Sequence, residues 1–116
     1  MTATVLSCIF CKIVAGRIPS RKVFEDDDLL AYHDIHPWAP VHVLIIPKTH
    51  IVSLADVGPE HDALLGLMLG LAPRLMRELG VVNGFRTLIN TGVDGLQEVM
   101  HLHMHVIGGP RPWAKG

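Results

Sequence analysis

The sequence has few of the features that several protein classes require. Its two cysteines cannot form the disulfide framework of a small secreted scaffold. Its 10 Lys and Arg residues are balanced by 11 Asp and Glu residues, so it lacks the positive charge with which nucleic-acid binders neutralise phosphates. The longest nearly apolar run, residues 63–73, is far shorter than the roughly 20 residues needed to cross a bilayer. We therefore expect no nucleic-acid partner and no membrane span.

Signals for secretion and for several domains are absent as well. No positive charge precedes the short apolar stretch at the N-terminus, and no small-residue cleavage site follows it, so we expect a cytoplasmic protein. Repeats, low-complexity tracts and Ser/Gly linkers are lacking, which predicts a single domain over residues 1–116. With 49% hydrophobic and 18% charged residues, the chain can bury a core. Histidine is unusually frequent, with eight residues.

The spacing of apolar residues predicts an antiparallel α+β fold. A short helix is predicted over residues 8–15 and a long one over residues 58–80, with Pro59 at its first turn. Five strands are predicted, separated by hairpin turns and loops, at residues 21–25, 29–33, 41–46, 85–90 and 100–107. The long helix has more apolar positions than one core face needs, so we expect its second face to meet a partner subunit.

The most informative stretch contains three alternating histidines, His101, His103 and His105. On a strand, alternate side chains point to the same face, so three imidazoles would project from one side and Leu102, Met104 and Val106 from the other. One interpretation is a set of catalytic bases, and another is a three-histidine zinc site. The third is an ordinary strand with a solvated polar face.

This pattern resembles the signature of the histidine-triad (HIT) nucleotide hydrolases and transferases. Further matching segments run along most of the chain, at residues 8–13, 24–27, 33–35, 39–42, 46–48, 90–92, 95–97 and 108–109. The resemblance implies a HIT-like fold, a five-stranded antiparallel sheet with one long and one short helix, and a homodimer. The Gly108-Gly109 ending and the Trp113 tail resemble the branch of purine nucleoside phosphoramidases, which release AMP or GMP and an amine.

The resemblance also implies catalytic roles. His103 matches the nucleophile that attacks the α-phosphorus to give a nucleotidyl-histidine, which water then hydrolyses. His105 matches a residue that supports the phosphate, and His42 completes the histidine cluster. Glu98 stands where eukaryotic phosphoramidases usually have serine. A carboxyl group there either assists proton transfer to the leaving amine or selects amine-bearing leaving groups, and the sequence leaves both open.

Nucleotide contacts follow from the same resemblance. Asp34 matches the acid that accepts hydrogen bonds from the ribose hydroxyls, although an aspartate there also suits a loop cap. Asn90, Gly95 and Gln97 match positions near the phosphate. The walls of the base pocket match residues that are equally compatible with ordinary core, namely Ile9, Phe10, Ile13, Tyr32 and Ile35.

A metal site is a separate expectation. The spacing Cys8-x-x-Cys11 supplies half of a tetrahedral zinc site, and the resemblance to some bacterial members adds His50 and His101. The alternatives are reduced cysteines packed in the core and a redox pair. If His101 binds structural zinc, it is unavailable to the phosphate. The three remaining histidines have no assigned role and are expected at surface or loop positions, namely His33, His36 and His61.

Two rival functions remain at this stage. One is an enzyme of the same fold that splits dinucleoside polyphosphates or another nucleotidyl conjugate. The other is a nucleotide- or zinc-binding adaptor whose histidines do not catalyse a reaction. Preference for the leaving group discriminates the first rival, and nucleotide affinity without turnover identifies the second.

Overall fold

A computed structural model describes Val5 and residues 7–116. Residues 1–4 and 6, which belong to the N-terminal stretch without a predicted secretion signal, lie outside the described residues. The described part contains two α-helices and five strands. In chain order they are α1 (Ile9–Val14), β1 (Lys22–Glu25), β2 (Leu29–His33), β3 (Val41–Pro47), α2 (Asp62–Glu78), β4 (Phe85–Leu88) and β5 (Met104–Gly108). Two short 3-10 turns, Leu54–Asp56 and Pro59–His61, precede α2.

The five strands form one antiparallel sheet in the order β1-β2-β3-β5-β4, which confirms the predicted α+β architecture. β3 lies at its centre, with Leu44 opposite Tyr32 of β2 on one side and opposite His105 of β5 on the other. The tight β1–β2 turn forms because one carboxylate oxygen of Asp26 accepts the backbone N–H groups of Asp28 and Leu29, each at 2.8 Å. This topology brings the end of the chain next to its central strand.

Both faces of the sheet are covered. Val43 and Ile45 of β3 pack on the face that α2 covers, whereas Leu44 and Ile46 pack on the opposite face, which α1 covers. β3 is therefore buried on both faces, as its continuous apolar sequence predicts. The face under α1 is the one that carries the histidines, because His42 shares the parity of Leu44 along β3.

Several predicted boundaries are wrong. β5 begins at Met104 and not at residue 100, because the N–H of Leu102 donates to the carbonyl of Ile51, in the loop after β3, at 2.6 Å. The long helix begins at Asp62, since Pro59–His61 is a separate 3-10 turn. β4 ends at Leu88 and not at residue 90. No helix in the described part of the chain is long and apolar enough to cross a membrane.

Candidate active site and metal centre

Three histidines meet on the α1 face of the sheet. His42 projects from β3, His105 from β5, and His103 from the extended residues just before β5. All three are buried, with 2–7% of their surface exposed. The alternating residues Leu102, Met104 and Val106 lie in the core under α2, so the predicted alternation holds. It holds even though, of the alternating histidines His101, His103 and His105, only His105 belongs to a strand.

His103 has the geometry of a nucleophile. Its Nδ1 lies 2.7 Å from the backbone carbonyl oxygen of His101, so Nδ1–H donates and the lone pair resides on Nε2. Burial lowers the pKa of His103 against the opposing effects of this hydrogen bond and of the charges on Asp34 and Glu98. The Phe10 ring meets the imidazole edge to face, with the centroids 5.0 Å apart. At neutral pH His103 therefore holds an unprotonated Nε2 in a fixed plane.

His42 and His105 form a hydrogen-bonded pair beside His103. The backbone N–H of Trp38 donates to Nδ1 of His42 at 3.0 Å, so the proton of a neutral His42 resides on Nε2. That Nε2 lies 2.8 Å from Nδ1 of His105, which must accept and therefore carries its own proton on Nε2. Burial lowers the pKa of His105 to about 4, so the ring is neutral at pH 7. The pair thus supplies one N–H donor beside a nucleophilic nitrogen.

Asp34 serves two sides of the site. Its Oδ1 accepts the backbone N–H of His36 at 2.8 Å, so the loop-capping function anticipated from the sequence is present. Its Oδ2 lies 3.6 Å from Nε2 of His42. One carboxylate oxygen therefore shapes the loop between β2 and β3, and the other faces the histidines, where a hydroxyl-bearing ligand can reach it.

The loop before β5 is held by its own amide side chains. Nδ2 of Asn90 donates to the carbonyl of Gly95 at 2.8 Å. Gln97 accepts from the N–H of Gly92 at 2.9 Å and donates to the carbonyls of Val52 at 2.7 Å and Val99 at 3.0 Å. A side chain at Gly95 would overlap the backbone of Thr91, so glycine is required there. Glu98 is exposed at the end of this loop.

The apolar residues proposed for a base pocket divide into two groups. Phe10, Ile13 and Tyr32 are buried in one cluster under α1, where the Phe10 and Tyr32 rings meet edge to face at 6.3 Å and Phe10 also contacts the His103 ring. Burial raises the pKa of Tyr32, so its hydroxyl stays protonated. Ile9 is 47% exposed and Ile35 is 84% exposed. These two side chains are accessible to a ligand.

The second cluster joins Cys8, Cys11, His50 and His101, as expected for a metal centre. Nδ1 of His101 lies 3.4 Å from Sγ of Cys8, 3.6 Å from Sγ of Cys11 and 3.1 Å from Nδ1 of His50. Sγ of Cys11 lies 3.3 Å from Nδ1 of His50. In tetrahedral zinc sites with bonds of about 2.0–2.3 Å, neighbouring ligand atoms are about 3.3–3.8 Å apart. The donor set and its spacing fit zinc.

Local structure prepares these four ligands. Cys8 is the N-cap of α1 and Cys11 lies one turn later, which turns both thiols to the same side. Both cysteines are free and buried. Nε2 of His101 lies 2.8 Å from the carbonyl oxygen of Pro47, so Nε2–H donates and the lone pair is left on Nδ1, towards the cysteines. The cluster connects α1 to His101, and the backbone carbonyl of His101 accepts the hydrogen bond from His103.

One residue of the site was missed from the sequence. The indole of Trp38 stacks on the His105 ring with the centroids 4.4 Å apart and 21° between the planes. It also tilts over His42 with the centroids 4.7 Å apart. The available signal is a large aromatic residue in the short loop between Asp34 and His42.

The unassigned histidines lie away from these clusters. His36 is exposed in the β2–β3 loop, and His61 ends a 3-10 turn, where its Nδ1 accepts the N–H of Gly58 at 3.1 Å. His33 departs from the expected surface or loop position, because it is the last residue of β2 and is partly buried. Burial, with a smaller effect of Arg21, lowers the pKa of His33.

Comparison with known proteins agrees with this geometry. The HIT domain model matches residues 15–111. The chain is 51% identical to Protein HitA of Neisseria gonorrhoeae over 104 residues, covering 90% of this chain and 97% of that protein. It is 44% identical to the purine nucleoside phosphoramidase of Escherichia coli strain K12, over 87% of this chain and 86% of that protein.

Solved structures share the fold. A histidine triad protein from Clostridium difficile superimposes with a TM-score of 0.90 at 41% identity, over 95% of this chain and 96% of that one. A Zn-bound histidine triad family protein from Mycobacterium smegmatis gives a TM-score of 0.78 at 39% identity, over 89% of this chain and 75% of that one. With the family model matching most of its length, this chain belongs to the HIT domain family.

Proposed function

We propose that this protein hydrolyses purine nucleoside 5′-phosphoramidates through His103, releasing AMP or GMP and an amine. The observation that carries the proposal is the tautomer of His103. Its Nδ1–H donates to the His101 carbonyl, so the lone pair on Nε2 is free to attack. The N–H donor of His105 beside it suits the charge that develops on phosphoryl oxygens. Similarity to a relative named purine nucleoside phosphoramidase supports the choice of substrate.

The reaction has two steps. In the first, Nε2 of His103 attacks the α-phosphorus, a P–Nε2 bond forms, the P–N bond breaks, and the amine leaves with a proton taken from the solvent. In the second, water attacks the same phosphorus, the P–Nε2 bond breaks, one proton of the water passes to the solvent, and the nucleoside monophosphate departs with neutral His103 restored. The Nε2–H of His105 donates to a phosphoryl oxygen in both steps.

The remaining residues bind the nucleotide and choose the leaving group. Asp34 receives the ribose hydroxyls, and Ile9 and Ile35 offer apolar surface to the purine, together with the buried wall of Phe10, Ile13 and Tyr32. The loop closed by Asn90, Gly95 and Gln97 borders the phosphate. Glu98, exposed and close enough for its charge to raise the pKa of His103, faces the leaving amine and favours a protonated one.

We also propose that Cys8, Cys11, His50 and His101 hold a structural Zn²⁺. The ion supplies a cross-link between α1 and the residues before β5, and hydrolysis requires no metal. Thiolate ligands need reduced cysteines, which is consistent with a cytoplasmic location.

A homodimer that pairs through α2 and β4 completes the proposal. β4 is an edge strand of the described sheet, and all four of its residues are exposed. α2 exposes the apolar residues Leu67 and Leu69, at 51% and 58%. An edge strand beside exposed apolar helix surface is a typical self-association surface. We take residues 1–116 as one domain.

Substrate choice is tested by the ratio of kcat/KM for adenosine 5′-phosphoramidate to that for diadenosine triphosphate. We expect a ratio of at least about 100, because the carboxylate of Glu98 is proposed to favour an amine as the leaving group and the triphosphate has none. A preference for the triphosphate would keep the nucleophile and replace the proposed substrate. Turnover of neither compound, with AMP still bound, would favour the non-catalytic adaptor.

A further inference from the structure

Trp38 makes three contacts with the histidine pair. Its ring stacks on His105 and tilts over His42, with centroid distances of 4.4 Å and 4.7 Å. Its backbone N–H fixes the tautomer of His42 by donating to Nδ1 at 3.0 Å. One residue therefore sets both the plane of the terminal imidazole and the direction of the hydrogen bond that reaches it.

The other side of Trp38 is held by residues 115–116. The backbone N–H of Lys115 donates to the Trp38 carbonyl at 3.2 Å, and its Nζ lies 4.9 Å from the indole centroid. Nη1 of Arg86 on β4 donates to the carbonyl of Gly116 at 2.6 Å. The indole therefore lies between residues 115–116 on one side and the His105 ring on the other, and it has little room to rotate.

We propose that Trp38 is a positioning residue that keeps His105 in the plane in which its Nε2–H meets the phosphoryl group. The inference rests on the proposed function for its consequence in catalysis. Without the indole, the His105 ring is free to turn about its Cβ–Cγ bond and water gains access to the bond with His42. Both changes weaken the hydrogen bond from the Nε2–H of His105 to the phosphoryl group, because this donor stabilises the transition state only if its orientation is fixed beforehand.

The effect is expected in the rate constant and not in binding. An aromatic stack contributes enough to account for about a tenfold change. Trp38→Leu should lower kcat on adenosine 5′-phosphoramidate about tenfold and change KM less than about twofold. Trp38→Phe, which keeps a ring for stacking, should restore kcat to within about threefold of the wild type. Phe24→Leu is the matched control, because Phe24 is a half-buried ring that packs on the α2 face of the sheet.

NMR of protein labelled with ¹⁵N-histidine reads the position of His105 directly. In the wild type, its ring protons should be shifted upfield by the indole, and its nitrogens should report a single Nε2–H tautomer. In Trp38→Leu the upfield shift should vanish and the nitrogen signals should move towards a mixture of tautomers. These signals should be unchanged in Phe24→Leu.

The outcomes separate the two proposals. An unshifted His105 ring in the wild type, or unchanged kcat in Trp38→Leu, overturns the positioning role. Should Trp38→Leu fail to fold, Trp38→Gln replaces it, with the same expected loss of kcat and of the upfield ring shift, and unchanged kcat in that variant overturns the positioning role. If the wild type leaves the phosphoramidate intact, the proposed function fails, and the NMR spectra alone decide whether Trp38 fixes His105.

Discussion

At the scale of single residues, the backbone decides what each imidazole can do. His101 donates to the Pro47 carbonyl, His103 donates to the His101 carbonyl, and His42 accepts from the Trp38 N–H. Each contact commits one ring nitrogen and leaves the other for a metal, a phosphorus atom or a neighbouring ring. Chemically identical side chains thereby acquire different functions.

Replacing the nucleophile should separate catalysis from binding. In His103→Ala, turnover of adenosine 5′-phosphoramidate should fall by at least about a thousandfold, because Nε2 forms a bond only during the reaction. The affinity for AMP, measured by calorimetry, should change less than about fivefold. A melting temperature close to that of the wild type is the control for folding. Residual turnover above about a tenth of the wild-type rate would rule out His103 as the nucleophile.

Acid should destabilise the protein through His105. Burial lowers its folded pKa to about 4; smaller effects of His103, His42 and Lys115 act in the same direction, and the charge on Asp34 opposes them. An unfolded histidine titrates near pH 6.5, so between about pH 6.5 and 4 the unfolded chain binds the additional proton. The stability that neutral His105 confers is therefore complete above about pH 6.5 and decreases as the pH falls towards about 4.

The pH dependence is measured by melting wild type and His105→Gln between pH 7.5 and 4.5. The wild type should lose several degrees more than the variant over this range. Acid release of a metal affects both proteins, so the difference between the two curves reports His105. Parallel curves would contradict the assignment of a depressed pKa to this residue.

At the scale of elements, the sequence predicts the features that depend on the local periodicity of apolar residues. It does not predict those that depend on contacts between distant parts of the chain. β3 and the alternation of the triad follow from apolar patterning, and both are found. The start of β5 does not follow, because the N–H of Leu102 bonds to Ile51 in the loop after β3, a contact between residues far apart in the chain. The stacking of Trp38 on His105 joins loop and strand residues far apart in the chain, so no local pattern encodes it.

The proposed metal cluster connects α1 to the segment that holds the proposed nucleophile, His103. Cys8→Ser should reduce the zinc content, measured by elemental analysis of protein purified without chelator, from about one ion per chain to well below one. It should also lower the melting temperature, because metal binding is coupled to folding. His61→Asn is the control, since His61 bonds only within its own turn. Unaltered zinc content in Cys8→Ser would refute the proposed ligand set.

At the scale of the whole molecule, the main apolar core and the histidine clusters lie on opposite faces of the sheet. The α2 face buries an aliphatic core against β2, β3 and β5, whereas the α1 face carries the histidines and the metal cluster. The histidines proposed as catalytic therefore lie on β3, on β5 and on the residue just before β5, where packing fixes their positions. The outer face of α2 and the β4 edge remain exposed.

The exposed face of α2 and the β4 edge predict a homodimer, and a substitution on α2 should disrupt it. Sedimentation or light scattering should give about twice the chain mass of 12.7 kDa. Leu69→Glu places a charge on exposed apolar helix surface and should shift the mass to that of one chain, because an unpaired charge is costly in a buried interface. Val93→Lys changes a residue that is 90% exposed in the loop before β5, and it should leave the mass unchanged. A wild type with the mass of one chain would exclude the dimer. A Leu69→Glu protein that stays dimeric would move the interface away from α2.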